Sequence, residues 1–156
     1  MLSSAWVSLG ALSGTPTNVT LSVATTDDPE ITDMLKHHKQ ETERQEARLR
    51  ERLDALGAGT STRKQAQTIA AALMKGATDV VRGDQAGKNA RDGYVTEHME
   101  IAAYQLLERL AQRAGDTQTA EVARQNRAEE EAMAQKIDAN WDKFLELTLA
   151  ENDIRV

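Results

Sequence analysis

The stretch that decides the fold is GYVTEHMEIAAYQLLERLAQRAG, residues 93–115. Its inward-facing residues recur every three or four positions, which is the period of one face of an α-helix. That face consists of Tyr94, Glu97, Ile101, Tyr104, Leu107 and Ala111, with Glu100, Leu110 and Ala114 alongside. The spacing predicts a helix from about Ala90 to Ala114, and Gly115 is the residue expected to end it.

The same period continues on the N-terminal side of this stretch. Asp27 or Asp28 can cap a helix that begins at Pro29 and runs to about Leu56, before Gly57. Its predicted inward face is Ile31, Met34, Leu35, His38, Thr42, Gln45, Leu49, Leu53 and Leu56. A shorter helix is expected within residues 62–81.

On the C-terminal side, Asp116 is expected to cap a last helix from about Thr117 to Leu149. Its inward face reads Val122, Asn126, Glu130, Met133, Ile137, Trp141, Phe144 and Thr148. Short connections predict that neighbouring helices are antiparallel, so the expected architecture is an all-α helical bundle.

The composition of the 156 residues excludes several classes of function. Cysteine is absent, which excludes disulfides, cysteine-zinc sites, iron–sulfur clusters and thiol nucleophiles. A net charge of −6 and few aromatic residues argue against nucleic-acid binding. No apolar run approaches the length of a membrane span. We therefore expect a cytoplasmic protein that binds neither nucleic acid nor membrane.

Residues 1–26 differ from the rest because they contain no charged side chain. A flexible tail, a short strand-like arm and an irregular helix are all compatible with this Ser/Thr-rich segment, which Gly10, Gly14 and Pro16 interrupt. We therefore divide the chain into an atypical segment, 1–26, and a helical domain, 27–156.

Several acidic residues fall on the predicted inward faces. Glu97 and Glu100 are three residues apart, as are His38 and Glu41, and Glu130 lies between Asn126 and Met133 on the last helix. An isolated buried carboxylate is costly, so such groups need a metal, a basic partner or a proton. Carboxylates and imidazoles from several helices are the ligands of di-iron and di-manganese bundle sites. The predicted metal ligands are His38, Glu41, Glu97, Glu100 and Glu130.

A structural explanation stands beside this prediction. Glu97 and Glu100 could be solvated or paired with arginine, and the run Glu129–Glu131 spans too much of a helical turn for all three to face inward. His37 and His38 could be surface or boundary residues. The acids would then be ion pairs in a non-catalytic structural or interaction protein.

The sequence resembles the YciE/YciF-type ferritin-like stress proteins over about residues 27–150. The most specific part is Glu97, His98, Glu100, Ile101, Ala102 and Tyr104, in the pattern E-H-x-E-I-A-x-Y. The first clear helix and the ALMKG element at 72–76 are also similar. The resemblance implies a ferritin-like antiparallel four-helix bundle with an extra short helix, a role in stress responses and a homodimer or higher homo-oligomer.

The resemblance also implies a di-metal centre of iron or manganese, which would react with oxygen or peroxide. Glu41, Glu97, Glu100 and Glu130 would be its carboxylate ligands, and Tyr104 would be a hydrogen-bonding or redox neighbour. Two departures make an incomplete site the expectation. No Glu-x-x-His pair is present, and the family's first helix would fall in the acid-free residues 1–26. One hypothesis is that foreign sequence, from a shifted reading frame or misplaced start, replaced that helix.

Overall fold

The computed structural model describes residues 28–57 and 86–155, and the regular structure within these ranges is helical. The helices are α1 (Pro29–Ala55), α2 (Ala86–Arg113), α3 (Thr117–Asp138) and α4 (Trp141–Glu151). The predicted all-α bundle is confirmed. The predictions for residues 1–26 and 62–81, including the extra short helix and the atypical first helix, lie outside the described residues. In the described part, each helix is too short or too polar to cross a bilayer.

Aspartate caps fix where two of the helices begin. Asp28 is the cap of α1, where its Oδ1 accepts a hydrogen bond of 2.9 Å from the backbone N–H of Ile31. Asp116 caps α3 in the same way, through a 3.0 Å bond from the N–H of Thr119. Both carboxylates satisfy N–H groups that have no partner within the helix. Gly115, at φ +74°, makes the tight turn between α2 and α3.

The last predicted helix is divided in two, contrary to the expectation of one helix to about Leu149. α3 ends at Asp138 and α4 begins at Trp141. At the break, the Asn140 side chain donates a 2.8 Å hydrogen bond to the carbonyl of Lys136, four residues earlier. Side chains of this kind compete with the regular helical bonds. The break lets α4 contact the beginnings of α1 and α2.

Three contacts, two of them made by α4, show the direction of the long helices. Lys143 lies 3.1 Å from Asp28 at the beginning of α1. Glu151 accepts a 2.9 Å hydrogen bond from the N–H of Ala86, where α2 begins. At the other end of the bundle, Arg52 in the last turn of α1 lies 3.1 Å from Asp116, beyond the end of α2. α1 and α2 therefore run in the same direction, and α3 runs antiparallel to both.

The apolar core is divided between the two ends of the bundle. The cluster near the α2–α3 turn consists of Leu49, Tyr104, Leu107, Ala111, Ala120 and Ala123. The cluster near α4 consists of Ile31, Ala86, Ala90, Met133, Ile137 and Phe144. Between them lies a buried polar belt formed by His38, Thr42, Gln45, Glu97, Glu100, Asn126 and Glu130. The predicted metal ligands His38, Glu97, Glu100 and Glu130 lie in this polar belt.

Two glycines of α2 give a paired test of the packing. A Cβ on Gly87 would lie 2.8 Å from Thr148 Oγ1, which also donates 2.8 Å to the carbonyl of Phe144 and is therefore held in place. A Cβ on Gly93 would lie 3.6 Å from Ile137 Cδ1, an ordinary contact. We expect Gly87→Ala to lower the free energy of unfolding by about 1–3 kcal/mol through overpacking. Gly93→Ala should raise it by up to about 1 kcal/mol through helix propensity.

Urea denaturation of the two glycine variants and the unmodified protein measures both effects. Equal stabilities of the two variants would contradict the close approach of α4 to Gly87.

Candidate metal centre

The centre of the polar belt is a group of three potential metal ligands from three helices. His38 is on α1, Glu97 on α2 and Glu130 on α3, and one ligand atom from each lies within 4.8 Å of the other two. His38 Nε2 is 3.2 Å from Glu97 Oε1. All three are buried, with 4%, 4% and 0% of their surface exposed. We call this group the triad.

Burial changes the protonation of the two triad carboxyl groups. It raises the pKa of Glu97 to about 7; a hydrogen bond with Glu130 acts against this rise, and the charges of Glu100 and Glu41 add to it. Burial also raises the pKa of Glu130 to about 9, and the hydrogen bond and charge of Glu97 add to that rise. The two carboxyl groups therefore share protons when no cation is present.

The third member of the triad responds to burial in the opposite direction. Burial lowers the pKa of His38, although the negative charges of Glu130 and Glu41 oppose this. A neutral imidazole is the form that binds a metal. Near neutral pH, the His38 imidazole is therefore already in the uncharged form and can bind a metal without first losing a proton.

The triad has more buried polar atoms than its neighbours satisfy. His38 Nδ1 and Glu97 Oε2 have no hydrogen-bond partner. The two oxygens of Glu130 also have none, apart from the contact between the Glu130 and Glu97 carboxyl groups. Buried polar groups in proteins are normally hydrogen-bonded, and a concentration of exceptions calls for an explanation such as a bound ion. One imidazole and two carboxylates are a donor set suited to iron or manganese. The residues therefore fit a divalent cation.

A chain of polar side chains, with two internal hydrogen bonds, leads from the triad toward the surface. The Gln45 side chain lies beside Glu130 and acts to lower its pKa. The Tyr104 hydroxyl donates a 3.1 Å hydrogen bond to Gln45 Oε1, and burial raises the pKa of this tyrosine. Next in the chain, Arg48 Nε donates a 2.8 Å bond to Asn126 Oδ1, and its guanidinium is paired with Glu129. These residues extend the polar belt beside the triad, and the amide nitrogens of Gln45 and Asn126 lack a hydrogen-bond partner there.

The other predicted ligands, Glu41 and Glu100, are near the triad but not part of it. The charges of both act on Glu97. Glu100 is buried, whereas the side chain of Glu41 is 14% exposed and its Oε1 lies 3.1 Å from His37 Nε2. Their role as ligands, and with it a second metal position, stays a prediction.

The structure decides between several alternatives that the sequence left open. In the run Glu129–Glu131, Glu130 alone is buried, as the geometry of a helical turn requires. His37 is exposed, as expected for a surface residue, but a surface position for His38 is wrong. Among the described residues, the ion-pair partner of Glu97 is His38 and not an arginine.

Three members of the polar chain were not predicted as site residues. Gln45 and Asn126 were placed on the inward faces, and their polarity at that position was the available signal. Arg48 lies outside the predicted inward face of α1, and nothing in its spacing distinguishes it from the neighbouring arginines.

Comparisons with known proteins agree with this architecture. A family model described as "Domain of unknown function (DUF892)" matches residues 18–150. A crystal structure of a protein from Xanthomonas campestris is similar with a TM-score of 0.73 and 18% sequence identity. The match covers 97% of this chain and 96% of that chain. At this identity the similarity shows the shared fold alone.

Proposed function

This chain belongs to the DUF892 family, a ferritin-like family of helical proteins, and from that premise we propose that it is a metal-binding bundle protein. The proposed centre is the triad, His38, Glu97 and Glu130. The observation that carries the proposal is the burial of this group in a helical bundle, where His38 Nδ1, Glu97 Oε2 and both carboxyl oxygens of Glu130 lack a hydrogen-bond partner outside the triad.

The proposed metal is iron, with manganese as the second choice. Oxygen-rich donor sets with an imidazole suit these ions, and the absence of cysteine removes the thiolate ligands that favour copper and zinc. When bound, such an ion supplies redox or Lewis-acid chemistry. The chain itself contributes a dry site, the neutral His38 imidazole and two carboxyl groups that lose their protons when an ion binds.

We infer that the first cation binds at the triad. A second position would need Glu41 and Glu100 in addition, so a complete dinuclear centre depends on two residues that lie outside the triad. The relation to the YciE/YciF-type stress proteins and assembly into a homodimer or higher homo-oligomer belong to the same proposal. Exposed apolar side chains on α2, Val95, Met99 and Leu106, support the idea of an interface between subunits.

Those exposed side chains also favour a second candidate function. The protein could be a non-catalytic interaction protein in which the shared protons of Glu97 and Glu130, rather than a metal, keep the acids together. The two candidate functions predict different responses to an added cation, because only a protein with a metal centre is stabilised when the cation binds.

The test is a titration of chelator-treated protein with Fe(II) under anaerobic conditions, and in parallel with Mn(II). Elemental analysis after desalting is expected to find tightly bound metal. The melting temperature should rise by several degrees, since a ligand at a hundred times its Kd stabilises the folded state by about 2.7 kcal/mol. Mg(II), which retains its water shell, serves as the control ion. Absence of both bound metal and a thermal shift would support the interaction protein instead.

A further inference from the structure

The triad is closed to solvent, so a cation needs an entrance to reach it. Its three members expose between 0% and 4% of their surface. A hydrated ion must exchange its water molecules for protein ligands, and partial coordination along the way lowers the cost of that exchange. The inference below rests on the proposed metal centre and concerns how the centre is loaded.

His37 and Glu41 lie between solvent and the triad. The His37 side chain is 54% exposed, and its Nε2 lies 3.1 Å from Glu41 Oε1. The other oxygen of Glu41, Oε2, is buried and has no hydrogen-bond partner. The Glu41 charge acts on both His38 and Glu97, which places this carboxylate close to two members of the triad. Glu41 therefore has one oxygen beside an exposed imidazole and one in the interior.

The helix geometry suits binding of an ion by these two side chains. His37 and Glu41 are four residues apart on α1 and lie on the same side of the helix. An imidazole and a carboxylate in this arrangement can bind one cation together. His38 follows His37 directly, and Glu41 is three residues further on, so an ion held here needs to move only to the adjacent face of the same helix.

Approaches along α3 are less favourable for a cation. The Arg48 guanidinium is paired with Glu129 and donates to Asn126, which puts a positive charge on the path followed by the polar chain. The positive charge of Lys136, on α3, also acts on His38. Like charges raise the energy of an approaching cation in a low-dielectric region. The His37–Glu41 pair, in contrast, combines an exposed imidazole with a carboxylate that reaches the interior.

We propose that His37 and Glu41 form the entrance of the metal centre, a transient cation site at the surface from which Glu41 transfers the ion to the triad. His37 Nε2 and Glu41 Oε1 bind the ion first, and Glu41 Oε2 then brings it to Glu97 and His38. Only coordinate bonds form and break. The proton shared by Glu97 and Glu130 leaves to solvent as the ion arrives.

The experiment measures the rate of Co(II) uptake by the chelator-treated full chain, using stopped-flow absorption in the visible range. We compare the unmodified protein with His37→Ala, Glu41→Gln and the control His98→Ala. His98 is a matched control because it is also an exposed histidine, on α2, and contacts the ring of Tyr94 rather than a carboxylate. His37→Ala and Glu41→Gln should slow uptake about tenfold, the lower end of what electrostatic focusing contributes to association rates.

His37→Ala is the decisive variant, because His37 is exposed and its loss should change neither the melting temperature nor the final amount of bound cobalt. Uptake at the unmodified rate in His37→Ala would overturn the entrance and leave the metal centre intact. A reduced final amount of cobalt in His37→Ala would also overturn it, because His37 would then be a ligand of the resident ion. If the unmodified protein takes up no cobalt, the metal centre and its entrance are both wrong.

Discussion

The double variant Glu97→Gln/Glu130→Gln is expected to bind Fe(II) or Mn(II) at least about a hundredfold more weakly than the unmodified protein, since loss of even an outer-shell partner costs 10–100-fold. Glutamine keeps the size of each side chain but cannot replace an anionic ligand. His38 would be left as the only unchanged member of the triad, and one imidazole does not hold a cation in competition with water. Competition with a metal-binding dye measures the difference in affinity.

The matched control for this variant is Glu131→Gln. Glu131 follows Glu130 on the same helix, but its side chain is 44% exposed and is paired with Arg127 at 3.3 Å. Its replacement should leave metal affinity unchanged. The proposed ligands would be wrong if the double variant retained the affinity of the unmodified protein, or if Glu131→Gln weakened binding to the same extent.

The metal-free protein should lose stability as the pH rises from neutral to alkaline values. Burial raises the pKa of Glu97 to about 7 and that of Glu130 to about 9, whereas both ionise near 4.5 when the chain is unfolded. Between the unfolded and folded pKa values, the folded state binds more protons, so the free energy of unfolding decreases with pH. The decrease is about 1.4 kcal/mol per pH unit for each group.

The titration of His38 changes the free energy of unfolding in the opposite direction, but in a lower pH range. Its pKa is lowered by burial, so it contributes stability that is present above its unfolded pKa of 6.5 and is lost as the pH falls below that value. Above pH 6.5 the two carboxyl groups therefore determine the slope. Urea denaturation of metal-free protein at several pH values from 6.5 to 9 measures it.

Glu130→Gln removes the group with the highest of these pKa values and should flatten the dependence between pH 7 and 9. A bound cation should reverse the sign of this pH dependence of stability, because metal ligands bind in their deprotonated form and the affinity for the metal therefore rises with pH. A metal-free protein whose stability is constant over this range would show that the triad carboxyl groups are already ionised and solvated.

The long helices were predictable because their buried residues repeat at the helical period. Asp28, Gly57 and Gly115 mark boundaries through their capping and turn chemistry, and the structure agrees with them within about a residue. The break after Asp138 was not predictable in this way. Asn140 is compatible with a helix, and the apolar pattern continues through Trp141 and Phe144, so the period alone extends one helix across the break.

The members of the triad were predictable for a different reason. An acid or histidine among the apolar residues of one helix face needs a metal, a charged partner or a proton to offset the cost of its burial. Periodicity gives the face of each helix but not the relative height of residues on different helices. His38, Glu97 and Glu130 meet at one level because of how α1, α2 and α3 are arranged in space.

The polar belt at mid-height has a consequence for how the bundle opens. Helices usually fray at their termini, where backbone bonds lack tertiary support. Here each end of the bundle has its own apolar cluster, and the unsatisfied atoms are concentrated halfway along α1, α2 and α3. Without a cation, the protein therefore has two well-packed ends joined by a less stable middle section. A cation bound in that section would couple the two ends, so that they unfold in one cooperative step.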